Sequence, residues 1–234
     1  MQEIIVRKFG LSDRGIVREI SYETSFLEQP RLFVDDRDIV ADALTAYFTD
    51  CEPGSCFVAE SQGEVVGYLT GTVDMQRKHQ ISLERVIPRV IRRFVFKGLF
   101  FQPKTRALFL NAVMGFGRGE FNVSDLGDHF PAEFHINIKK NFRGRGIGRE
   151  LINQYTAFLV QKNIKGVQAR TMSEEAKHFF LRLGFHVLSQ TQRTYLKYCL
   201  GYDLIYYVLG KRWDKSPAIH GGDNLLSLNT PRPP

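Results

Sequence analysis

The stretch from Phe134 to Ile152, FHINIKKNFRGRGIGRELI, constrains this chain more than any other. Its first residues alternate: Phe134, Ile136 and Ile138 fall on one face of an extended segment, and Glu133, His135 and Asn137 on the other. Arg143-Gly144-Arg145-Gly146-Ile147-Gly148 follows, and then a helical pattern in which Ile147, Leu151, Tyr155, Phe158 and Leu159 share one stripe. Glycines let backbone N–H groups approach a ligand closely. A helix N-terminus adds positive partial charge. Strand, glycine loop and helix start together predict an α/β fold with an anion site at the turn, suited to a phosphate or pyrophosphate.

Three glycine-loop patterns compete for that site. A nucleotide P-loop needs Lys-Ser/Thr after its last glycine, whereas here Arg149-Glu150 follows. A dinucleotide fingerprint spaces its glycines G-x-G-x-x-G, and Gly148 comes one residue too early for it. The remaining pattern, Arg/Gln-x-x-Gly-x-Gly/Ala, is met by Arg143, Gly146 and Gly148. About 30 residues further on comes Ala176-Lys177-His178-Phe179-Phe180-Leu181-Arg182-Leu183-Gly184-Phe185. In these two landmarks, their order and their separation, the chain resembles the GNAT (Gcn5-related) N-acetyltransferase superfamily. The resemblance covers residues 3–74 and 132–211.

The resemblance implies a single α/β (α+β) GNAT domain over residues 1–215, with a central mixed, twisted sheet of six to seven strands flanked by helices. The strand patterns at 3–8, 56–60, 64–74, 133–138, 164–171, from 185 and at 202–211 suit it, as do helices at 11–27, before Tyr47, to about 162 and at 173–183. Residues 75–131 read as an insertion between the third and fourth strands, helical near 80–97 and 104–114, and 216–234 as a flexible tail. It also implies acetyl-CoA as acyl donor, no metal, and direct transfer of an acetyl group to a primary amine. The donor would contact the backbone of Ile136, Ile138 and Lys139. Its pyrophosphate would rest on the loop from Arg143 through Gly144, Arg145, Gly146 and Ile147 to Gly148, with charge from Arg143, Arg145 and Arg149. Ser173 stands where many members place a donor-contacting Asn, although Ser173 also suits a plain helix N-cap.

The chemistry needs a base for the amine, a donor for the developing oxyanion, and an acid for the departing thiolate. His135 is the first candidate base, since imidazole titrates near neutral pH, and Glu133 the second. Asn137, Tyr22 and Phe26 are candidates to line the acceptor site, with Asp35 and Asp36 near them. The family often uses a Tyr as acid at the position of Phe180, which has no hydroxyl. Tyr195, Tyr198, Tyr202, Tyr206 or a water could substitute. The missing hydroxyl keeps an alternative open: a non-catalytic acyl-CoA-binding sensor or regulatory domain.

Charge adds one local feature. The chain of 234 residues carries +7, but Arg77 to Arg106 alone holds nine Lys/Arg against Glu84, so the rest sums to about −1. This basic, aromatic segment reads as a helix with a solvated basic face, as a lid favouring an acidic acceptor, as a nucleic-acid or anionic membrane surface, or as a homodimer contact. Cys51, Cys56 and Cys199 have neither metal spacing nor an even framework, and they read as reduced residues of a cytoplasmic protein. No signal peptide or spanning apolar run is apparent.

Overall fold

The structure is a computed structural model that describes residues 3–122 and 129–213. The predicted tail, and part of the Gly-rich end of the insertion, lie outside the described residues. Seven strands form one sheet: β1 Ile4–Lys8, β2 Phe57–Ser61, β3 Glu64–Thr72, β4 Ala132–Ile138, β5 Gly166–Thr171, β6 His186–Arg193 and β7 Leu204–Arg212. Their spatial order is β1-β2-β3-β4-β5-β7-β6. Only β4 and β5 run parallel, so the sheet is mixed, as expected. That parallel pairing is brief: Ala132 with Val167, Glu133 with Gln168 and Phe134 with Ala169. β4 continues to Ile138 and β5 to Thr171 without further pairing between them, which opens a wedge in the middle of the sheet.

One face of the sheet carries α6 (Ile147–Gln161) and α7 (Glu174–Arg182). Ile147, Leu151, Ile152, Tyr155 and Leu159 are buried there against Phe134, Val167, Ala169 and Leu209. Phe158 of the expected stripe is only partly buried, while Ile152, one residue after Leu151, is fully inside. Burying such side chains stabilises by roughly 1.5–3 kcal/mol each, so this face anchors β4 and the loop behind it.

The opposite face is covered by α1 (Arg14–Glu28) and α2 (Arg37–Ala46), and by the insertion. α1 departs from expectation at its end: Phe26, Leu27 and Glu28 all have left-handed backbone (φ 49, 55 and 66°). α2 runs on as a π-turn, Tyr47–Cys51. The insertion forms α3 (Met75–Ile81), a π-turn (Ser82–Val86), α4 (Ile87–Phe96) and α5 (Pro103–Gly117), longer than the sequence suggested. Among its described residues it has no separate core; Val86 packs with Phe9, Val17 and Tyr68 of the main domain. A last short helix, α8 (Lys197–Leu200), links β6 to β7.

The basic charge of the insertion has a local purpose. Lys78 pairs with Glu133, Arg89 with Asp50, Arg93 with the buried Asp42, Lys97 with Asp36 and Lys104 with Asp35. Five of the nine cations therefore meet acids of α2, its flanks and β4, and dock the insertion onto the domain. Asp35 and Asp36, considered for an acceptor amine, are occupied by these lysines instead. Among the described residues no helix is long and apolar enough to cross a membrane.

Candidate active site

The glycine loop is shaped by backbone rather than by space. Gly144 and Gly146 have φ of +76° and +82°, and a Cβ on either would touch nothing within 4 Å. The left-handed backbone is what requires glycine there. Gly148 is the reverse case, since its Cβ would lie 2.9 Å from Phe179, so glycine lets α6 sit close to α7. Gly146 is the N-cap of α6, and the Glu150 N–H is bonded to the Gly146 carbonyl. The N–H groups of Ile147, Gly148 and Arg149 precede that first helical bond and have no acceptor within the helix. Arg143, Arg145 and Arg149, on and just after this loop, are exposed. Arg143 is ion-paired with Glu28, and its Nε donates to the Ile138 carbonyl at 3.2 Å.

Backbone accounting along β4 corrects one expectation. The Lys139 N–H donates to Val66 on β3 at 2.9 Å, and the Lys139 carbonyl accepts from Phe142 at 2.9 Å. Both backbone groups of Lys139 are therefore committed, and it drops out as a backbone partner for the donor. Because strand residues alternate in direction, Ile136 and Ile138 turn their backbone the other way, into the wedge beside β5.

At the narrow end of the wedge sits a charged cluster. Glu133, expected at an exposed strand end or as a base, is 1% exposed. Lys78 Nζ lies 2.5 Å from its carboxylate, Arg170 Nε 3.2 Å and His135 Nε2 3.9 Å. Burial pushes the Glu133 pKa up, but the neighbouring Lys78, His135 and Arg170 outweigh it and bring it down to about 2. His135 retains 40% side-chain exposure through the cleft, yet the protein packed round it withdraws water. That desolvation, opposed by Glu133 and reinforced by Lys78 and Arg170, lowers its pKa to about 4. At neutral pH the pair is thus a carboxylate beside a neutral imidazole. Phe48 packs edge-on against the imidazole, ring centroids 5.5 Å apart.

The other expected residues divide between cleft and scaffold. Asn137 donates to the Tyr68 hydroxyl at 2.7 Å. Tyr22 lines an open cavity of about 680 Å³ with Glu23, Glu28, Arg31, Asp35 and Arg37. Phe26 stacks on Phe33, centroids 4.8 Å apart. Ser173 caps α7 by accepting from the Ala176 N–H at 3.2 Å. Phe180 is 4% exposed, wedged among Phe134, Phe179 and Phe185. Of the four tyrosines considered as acids, Tyr198 and Tyr202 are exposed, and Tyr195 lies against Phe121. Tyr206 is close enough to Arg170 and Glu133 to feel their charges. Lys78, Arg170 and Arg193 did not emerge from the sequence pattern. Arg170 was legible in principle, since Val167 and Ala169 point to the core and leave Gln168 and Arg170 on the face of Glu133. Among the described residues no group of three or more His, Cys, Asp or Glu is arranged to hold a metal.

A brief parallel pairing that opens beside β4, followed by a glycine loop capping α6, defines a class of fold, the GNAT fold. The family model for the acetyltransferase (GNAT) domain matches residues 105–187, which bears out the resemblance read from the two landmarks. Among solved structures, SsHAT is 24% identical with a TM-score of 0.68, covering 90% of this chain and 98% of its own. A polyamine N-acetyltransferase of Drosophila melanogaster that forms N-acetylagmatine is 14% identical with a TM-score of 0.57, covering 90% and 100%. The yncA protein of Salmonella typhimurium, solved with its cofactor acetyl-CoA, is 15% identical with a TM-score of 0.53, covering 92% and 96%. At these identities the structures establish the fold. No curated protein matches the chain by sequence.

Proposed function

We propose that this protein transfers the acetyl group of acetyl-CoA directly to a primary amine. The observation that carries the reading is the wedge between β4 and β5, with the backbone of Ile136 and Ile138 unpaired to β5 along it and the Ile138 carbonyl accepting from Arg143 Nε, the glycine loop at its wide end and Glu133 with His135 at its narrow end. The pantetheine arm would add to β4 as a short strand, and the pyrophosphate would lie on the N–H groups at the start of α6. Arg143, Arg145 and Arg149 would supply charge. The acceptor nitrogen would attack the thioester carbonyl carbon, forming C–N and breaking C–S. One proton leaves the nitrogen toward His135, directly or through water, and the departing thiolate gains one. Tyr206, beside Arg170 and within reach of the Glu133 charge, would donate it. Glu133 is too tightly held to act as the base itself and would position and polarise His135.

Calorimetry of acetyl-CoA on the wild type and on Gly146→Trp, followed by thiol release with an amine panel, tests this. Micromolar binding lost in the variant, with turnover in the wild type, supports it. No binding by the folded wild type would sink it.

The burial of Phe180 in the core, away from any proton-donor role, favours a second reading: an acyl-CoA-binding sensor without turnover. Binding with no thiol release under any amine would select that one.

A further inference from the structure

Arg193 is the anomaly of the buried charges. Asp13, Asp42, Glu120 and Glu133 are all buried, and each has a cation against it. Arg193 is 3% exposed and has no ion-pair partner among the described residues; its buried Nη1 has no hydrogen-bond acceptor. Among the described residues two aromatic rings face it: Tyr206 at 4.5 Å and Phe121 at 4.9 Å from the guanidinium carbon. Glu120, at the end of the insertion, is taken by Arg118 and by the backbone N–H groups of Thr194 and Tyr195. A buried guanidinium without an anion is costly, and Arg always keeps its charge.

Its position gives that charge a use. Arg193 pairs with Leu204, Tyr206 lies two residues along the same strand, and Arg170 pairs with Val208, two further on. All five side chains therefore stand on one face of the sheet, the face of Glu133. Interactions run from Glu133 to Arg170 at 3.2 Å, from Arg170 to the neighbouring Tyr206, and from Tyr206 to Arg193. Along this row, among the described residues, Lys78, Arg170 and Arg193 stand against the single carboxylate of Glu133, leaving two positive charges in excess. A bare ammonium is repelled there, whereas an amine with its own anion is not. A planar monoanion also matches the guanidinium fork and balances its one charge.

We propose that the acceptor is an amino acid or a similar amine bearing a carboxylate, which Arg193 receives while the amine lies at the Glu133–His135 end. This rests on the transferase reading above and narrows its substrate class. The carboxylate takes no part in bond making. The surrounding positive charge also lowers the pKa of the bound ammonium, so that more of it is neutral and able to attack.

Thiol release is measured with acetyl-CoA and each coded amino acid beside the amine left by its decarboxylation. The expected result is at least one pair whose acid member has a kcat/KM tenfold or more above that of its amine. In Arg193→Met that ratio falls toward one, through KM rather than kcat. Pairs in which the bare amine is the equal or better substrate would overturn the inference and leave the transferase reading standing. An Arg193→Met effect equal on both members would reduce Arg193 to a structural residue. Should that variant fail to fold, the wild-type comparison decides alone. Acetyl-CoA binding without thiol release from any member would bring down the transferase reading, and this inference with it.

Discussion

Lys78 Nζ, carried by the first helix of the insertion, lies 2.5 Å from the carboxylate of Glu133 in the fourth strand, 55 positions later in the chain. The insertion therefore completes the charge balance of the candidate centre. Removing one partner of a buried pair leaves the other charge stranded, at a cost of about 3–5 kcal/mol. Lys78→Met should destabilise the protein by about 3 kcal/mol, somewhat eased by the remaining Arg170. Lys97→Met, which breaks a pair whose lysine is 46% exposed, should cost under about 1 kcal/mol. Urea denaturation of both variants compares them directly. Equal losses would mean that the Glu133 site is open to water.

Acid should weaken the fold in two steps. His135 falls from an ordinary 6.5 to about 4 on folding, so the unfolded chain binds the extra proton between those values. Stability is then complete above about pH 6.5 and declines as pH drops toward 4. Glu133, ordinarily 4.5, is held at about 2, and its contribution is present above 4.5 and lost as pH falls toward 2. Thermal midpoints measured from pH 7 to pH 4 should drop less in His135→Asn than in the wild type. Parallel profiles would remove His135 as the cause.

Gly146→Ala forces a side chain into a left-handed backbone at φ +82°, a strain of about 1–2 kcal/mol. Relief of that strain would reorient the N–H groups at the start of α6. Acetyl-CoA affinity should fall at least tenfold, while the thermal midpoint moves by only a few degrees. Unchanged affinity in calorimetry would show that the loop N–H groups do not hold the donor.

Glu28 occupies Arg143 and sets a negative charge beside the phosphate loop. Both side chains are over a third exposed, so the pair is worth at most about 1 kcal/mol. Glu28→Gln should tighten acetyl-CoA binding by up to about fivefold, with the gain shrinking as salt is raised. Weaker binding would mean that Glu28 instead holds Arg143 where the donor needs it.

Tyr206→Phe keeps the ring against Arg193 and removes one hydroxyl. If that hydroxyl protonates the thiolate, kcat should fall about 10²-fold or more, with donor affinity unchanged. A kcat within twofold of the wild type would pass the role to water.

The sequence made the donor side legible because its signals are local. The alternation of Phe134, Ile136 and Ile138, the glycines at 144, 146 and 148, and the α6 stripe all lie within one strand–loop–helix unit. The acceptor side was hidden because its contacts join distant positions. Lys78 meets Glu133, and Arg193 meets Phe121, through packing that no window of sequence contains. The basic run read first as a solvated helix face, whereas Asp35, Asp36, Asp42 and Asp50, distant in sequence, face it. Lys139 misled for a simpler reason: adjacent strand residues alternate, and its N–H belongs to the third strand.

The short pairing of the fourth and fifth strands gives this sheet an edge in its middle. Outer edges are commonly guarded against sticking to other chains by charge, bulges or covering segments. Here, among the described residues, the backbone of Ile136 and Ile138 that is unpaired to the fifth strand has the Arg143 side chain across its end. An extended ligand would close that gap as a temporary strand. Without one, the same row of donors and acceptors can capture a loose segment of another molecule. Keeping acyl-CoA present during purification and storage should therefore suppress aggregation, even where no acceptor is available.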